Sequence, residues 1–124
     1  MSQTIAIALG GAAGALGRYW VSSGVYSLLG RGFPYGTLVV NVLGSLAMGW
    51  LYVLLIERLN VTPEWRGAVM VGFLGAFTTF STFSIETLNL LEQGAYARSL
   101  LNVLLSVVAC IAAAWLGVLL GRTL

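Results

Sequence analysis

Four stretches of mainly apolar residues, running roughly over 4–23, 36–56, 65–90 and 96–120, fill most of this 124-residue chain. Each matches the roughly 20 residues that a helix needs to cross the hydrocarbon core of a bilayer. Backbone amides and carbonyls find no water there, so a spanning segment must satisfy them within itself, as a helix does. The pattern predicts an all-α integral membrane protein of four transmembrane helices, organised as a single domain over residues 1–124. Charge agrees: charged residues are 8% of the chain, against about a quarter in soluble domains. They fall mainly in the breaks, at Arg31, Glu57, Arg58, Glu64, Arg66, Glu92, Arg98 and Arg122, and only Arg18 and Glu86 stand in apolar context. Tyr19, Trp20, Tyr26, Tyr35 and Tyr96 are expected near one membrane face, and Trp50, Tyr52, Trp65 and Trp115 toward the other, because amphipathic rings favour the headgroup region.

Enzymatic chemistry has little to work with. The chain has no histidine and no Ser-His-Asp set, and its single cysteine, Cys110, excludes an intrachain disulfide. No Cys/His cluster or phosphate-binding glycine loop is present, and the isolated arginines form no patch for nucleic acid. The chain is therefore expected not to be an enzyme.

Polar atoms inside a membrane face protein or water, so their spacing is informative. Thr37, Asn41 and Ser45 recur every fourth residue, which places them on one helical face, and Asn102, Ser106 and Cys110 do the same in the fourth span. The third span is denser: Thr78, Thr79, Ser81, Thr82 and Ser84 put five hydroxyls into seven residues, threaded by Phe73, Phe77, Phe80 and Phe83. One stripe alone reads as hydrogen bonding between helices; two stripes and a cluster favour a polar conduit for a small solute. Gly72 and Gly75 ahead of Thr78-Thr79 weaken helix propensity, so either a continuous helix or a break near 75–79 fits. A break would turn carbonyl oxygens outward, which suits a hard cation such as Na⁺. The rings of Phe80 and Phe83 could offer positive edges to an anion, although plain packing is the commoner use of a membrane phenylalanine.

Orientation is balanced. With four spans, Arg58, Arg66 and Arg122 fall on one side, and Arg31 and Arg98, with Arg18 if it snorkels, on the other. Orientation follows an excess of Lys and Arg in cytoplasmic loops, so either a weak bias fixes one orientation or the chain inserts both ways and pairs antiparallel. Gly10, Gly14 and Gly17, with Gly117 and Gly121, allow close helix packing, between subunits or within one.

The string GFLGAFTTFSTFSIET, residues 72–87, closely resembles the signature of the Fluc (CrcB) fluoride channels. GTLVVNVLGSLAMG, residues 36–49, and GGAAGALGRY, residues 10–19, resemble that family's other two motifs and stand in the same order. The resemblance implies an antiparallel, dual-topology homodimer in the inner membrane of a bacterium, with two pores along the subunit interface that passively export cytoplasmic fluoride. By position, it makes Phe80 and Phe83 the pore phenylalanines and Asn41 the pore amide, with hydroxyls from Ser81 and Thr82. Arg18 would sit at a vestibule, with Glu86 close to the path, and carbonyls of Gly75 and Thr78 from both subunits would hold a structural Na⁺. Asn102 and Ser106 would continue the fluoride path along span four; many members carry a Tyr and two Ser there where this chain has Asn102, Ser106 and Cys110, which keeps hydrogen-bonding capacity at the first two positions and weakens it at Cys110. The rival readings are a small dual-topology multidrug exporter, which needs a carboxylate in the first span that this chain lacks, and a non-transporting membrane assembly subunit.

Overall fold

The computed structural model describes residues 2–124, and every regular element in that range is helical. Helix α1 covers Ser2–Leu29, and α2 covers Tyr35–Tyr52 before continuing as a π-helical stretch over Val53–Arg58. The third span is composite: α3 (Pro63–Arg66), a π-helical stretch (Gly67–Leu74), α4 (Gly75–Phe77) and then α5 (Phe80–Glu92). Helix α6, Tyr96–Thr123, is the fourth.

Three stretches are long and apolar enough to cross a membrane, namely Tyr35–Arg58, Pro63–Glu92 and Tyr96–Thr123. At 28 residues α1 has the length as well, but its glycines and Arg18 dilute its hydropathy. It also continues beyond the expected end near Ser23. Its stop is Gly30, whose φ of +80° lets its N–H reach the Tyr26 carbonyl at 2.8 Å. Across the described residues the spans alternate in direction. Ser2 Oγ lies 3.4 Å from Glu64, and Arg122 pairs with Glu57 at 3.1 Å, so both chain ends and the loop before Pro63 share one end of the bundle. Arg98 reaches the Gly32 carbonyl at the other end, at 3.4 Å.

Glycine sets two of the close helix contacts. A Cβ on Gly14 of α1 would run into the Phe73 carbonyl, and one on Gly117 of α6 would run into the Leu46 carbonyl. Backbones can approach this closely only where small residues stand, the means by which helices associate without a hydrophobic driving force. The small-residue spacings of α1 and α6 are thus used inside one subunit. Val40, Val53 and Leu74 are fully enclosed, while Leu9, Leu100, Val108 and Ile111 look outward, as in a bundle surrounded by lipid.

Candidate functional site

Helix α4 stops at Phe77 because the next two residues are extended: Thr78 has φ −88° and ψ 157°, Thr79 φ −151° and ψ 118°. The break foreseen near 75–79 is therefore present, and the continuous-helix alternative is not. Helix α5 restarts at Phe80 with Thr79 as its N-cap, the Thr79 hydroxyl accepting the Thr82 N–H at 3.1 Å and lying 3.0 Å from the Thr82 hydroxyl.

Two neighbouring helices brace the break. From α2, Asn41 faces Thr79 with its whole amide: Nδ2 donates to the Thr79 carbonyl at 3.0 Å, and Oδ1 accepts the Thr79 N–H at 2.8 Å. The side chain thus imitates a strand partner. From α1, Arg18 Nε donates to the Ala76 carbonyl at 2.9 Å. Extended backbone at membrane depth is tolerated only where such partners replace the lost helical bonds. In an unbroken helix the Thr79 N–H would bond the Gly75 carbonyl. Asn41 takes that donor instead, and among the described residues neither the Gly75 nor the Thr78 carbonyl accepts a hydrogen bond.

Beside the break runs a groove of about 450 Å³ whose walls include Asn41, Ser45, Phe80, Phe83, Ser106 and Cys110, and no charged residue. Phe80 is 77% exposed; its ring centroid lies 5.3 Å from that of Phe83, with the planes tilted by 44°. Phe73 turns away and stacks on Phe77 at 5.9 Å. Ser81 is exposed, with its hydroxyl 3.4 Å from that of Thr79. Asn102 is not brought to the groove. It is buried, donates from Nδ2 to Thr87 Oγ1 at 2.9 Å and accepts the Ser106 hydroxyl at 3.3 Å, so it ties α6 to α5 inside the subunit.

Across the break lies a vestibule of about 230 Å³, bordered by Arg18, Ser22, Tyr26, Thr37, Thr82 and Glu86. Arg18 and Glu86 thus border one and the same cavity. Tyr26, read from sequence as a belt aromatic, instead donates its hydroxyl to Glu86 Oε2 at 2.7 Å. Its signal was present in the sequence: Arg18, Ser22 and Tyr26 recur every fourth residue and so share one face of α1.

An all-helical bundle with outward apolar surfaces and a braced break in its third span defines a polytopic membrane protein built around a polar interruption. The family model described as CrcB-like protein, Camphor Resistance (CrcB), matches residues 5–118. A protein named fluoride-specific ion channel FluC from Methylococcus capsulatus is 62% identical over 119 residues, covering 96% of this chain and 52% of that protein. The FluC of Coxiella burnetii (strain Dugway 5J108-111) is 55% identical over 123 residues, 98% of this chain and 99% of the relative. That of Citrifermentans bemidjiense is 47% identical over the full length of both. The chain spans about half the length of the Methylococcus relative and nearly all of the other two. The chain belongs to the CrcB family.

Proposed function

We propose that this protein is a fluoride-selective channel, not an enzyme, which lets fluoride leave the cytoplasm passively through a bacterial inner membrane and so limits its toxicity. The observation that carries this reading is the groove beside the break: hydroxyls, an amide and two phenyl rings, without a fixed charge. Its relatives' shared name, fluoride-specific ion channel, points the same way.

Fluoride is small and strongly hydrated, so a path must replace its water. Hydroxyl and amide hydrogens do so directly, and phenyl rings offer the positive edge of their quadrupole. Ser81 offers an exposed hydroxyl, and Phe80 and Phe83 stand side by side on the groove wall. A fixed cation in the groove would hold the anion and slow its release, whereas conduction needs sites favourable enough to enter and weak enough to leave. Arg18, set back in the vestibule, supplies attraction at the mouth instead.

The groove is open along one side, where Phe80 projects, and a second copy in antiparallel orientation closes it in this reading. The near-equal arginine count on the two sides supports such dual topology. The carbonyls of Gly75 and Thr78 form a neutral, hard-oxygen donor set that fits Na⁺, and a twofold axis through the break doubles it. Bound there, the ion would supply electrostatic cohesion between the breaks of the two copies, while Asn41, which accepts the N–H of the Thr78–Thr79 peptide, and Arg18, which bonds the neighbouring Ala76 carbonyl, brace the backbone around the donor carbonyls.

The test is fluoride efflux from liposomes that contain only this protein, read with a fluoride electrode while a K⁺ ionophore clamps the potential. Rapid efflux without ATP or a proton gradient is expected, with chloride left inside. Flux that requires ATP or moves in fixed ratio with protons refutes the channel reading, and proton-coupled efflux of an organic cation would establish the exporter in its place.

A further inference from the structure

We propose that Tyr26 is a positioning residue of the fluoride path, which holds the Glu86 carboxylate in the partition between two cavities and keeps it from swinging onto Arg18. The inference rests on the channel reading above. Next to the vestibule lies a second cavity of about 240 Å³, toward the loop end of the bundle, with Arg31, Asn89, Gln93 and Arg98 on its walls. Tyr26, Arg31 and Glu86 border both cavities, so these three side chains make up the wall between them.

Glu86 is the one acid within an apolar stretch, and its charge has the wrong sign for an anion route. The groups around it explain how it is tolerated. Oε2 accepts the Tyr26 hydroxyl at 2.7 Å, whereas Oε1 is buried and has no hydrogen-bond partner among the described residues. Tyr26 thus supplies the only protein hydrogen bond to the carboxylate among those residues. The charged groups bordering the same cavities are Arg18 from α1, Arg31 from the following loop and Arg98 from α6; α2 presents only the Thr37 hydroxyl, 3.5 Å from that of Tyr26.

Tyr26 is itself held by two neighbours. On one side its ring lies against Gly36, where a Cβ would collide with the ring edge, and on the other the Arg31 guanidinium sits 4.4 Å from the ring centroid. A ring seated in this way aims its hydroxyl at Glu86, 2.7 Å away, with the Thr37 hydroxyl farther off at 3.5 Å. Without the hydroxyl both carboxylate oxygens lack a protein partner, and the side chain turns toward the guanidinium of Arg18 in the vestibule. There it cancels the attraction that draws the anion in.

The experiment is a double-substitution cycle on the full-length protein in liposomes, comparing wild type, Tyr26→Phe, Glu86→Gln and the pair. Tyr26→Phe is expected to slow fluoride efflux roughly tenfold, the size expected when a hydrogen bond to a charged group is removed. Adding Glu86→Gln should bring the rate back to that of Glu86→Gln alone, because no stray charge remains to be held. A purely structural role for Tyr26 predicts no such rescue. Normal flux in Tyr26→Phe overturns the proposal, as does a slow Tyr26→Phe that Glu86→Gln fails to rescue. If Tyr26→Phe alone is poorly recovered on size-exclusion chromatography, the paired variant decides against Glu86→Gln: equal flux supports the proposal, and a further drop overturns it. Failure of the channel reading itself is distinguishable, since wild-type protein would then pass no fluoride.

Discussion

Replacing Asn41 with alanine should both destabilise the protein and collapse the break. The side chain makes two hydrogen bonds to one residue, at 3.0 Å to the Thr79 carbonyl and at 2.8 Å from its N–H. Alanine strands both groups. Leaving a buried donor or acceptor unpaired costs about 1–3 kcal/mol each, and because Thr79 is only half-buried the lower part of that range applies. The two together come to about 2–3 kcal/mol, which corresponds to a fall in Tm of roughly 10 °C for a chain of this size.

A specific escape is open to the stranded N–H. It can return to the Gly75 carbonyl one turn back, which is the bond that Asn41 diverts. That would consume one of the carbonyls assigned to Na⁺. Thermal unfolding in detergent, followed by tryptophan fluorescence with Na⁺ or with a bulky organic cation, separates the two consequences. Wild type should gain stability from Na⁺, whereas Asn41→Ala should start lower and gain little. An Asn41→Ala protein that unfolds within a degree or two of wild type and keeps its Na⁺ response would refute the clamp. Asn41 would then serve the groove alone.

Phe80→Ile and Phe83→Ile should keep the protein foldable, because the volume change is moderate, yet at least one should cut fluoride efflux steeply; Phe73→Ile, stacked on Phe77 away from the groove, should matter less. Gly117→Leu should abolish recovery of folded protein on size-exclusion chromatography, since its side chain meets the Leu46 carbonyl, whereas Gly24→Ala, with nothing within 4 Å, should be recovered normally. Adding two or three lysines to one terminus should lock a single orientation and silence the protein expressed alone, with flux returning on co-expression of an oppositely biased copy; full flux from one locked orientation would remove the antiparallel pair.

Much of the architecture could be read from run length and spacing, because a bilayer imposes both. The span limits at 35–58, 63–92 and 96–123 differ from the expected ones by three residues or fewer, and the Gly/Thr-rich stretch before Phe80 marks the break. What spacing does not carry is the choice of neighbour. Asn102, Ser106 and Cys110 share a face of α6, yet that face is wide enough to meet two partners: Asn102 meets Thr87 on α5, and Cys110 meets the groove. The glycines of α1 and α6 posed the same question, and neighbours within the same subunit answered it. Tyr26 is the most instructive case. Position near a helix end predicts a ring at the lipid headgroups, but an unpaired carboxylate in a low-dielectric setting is far more costly than a tyrosine drawn inward. The half-buried acid therefore decides where the ring goes. In a chain with so few charges, two of them fix the conformation of their neighbours: Arg18 fixes the end of α4 and Arg31 fixes the ring of Tyr26. The polar residues near those charges are better assigned by asking which charge or broken backbone needs them than by their place along a helix.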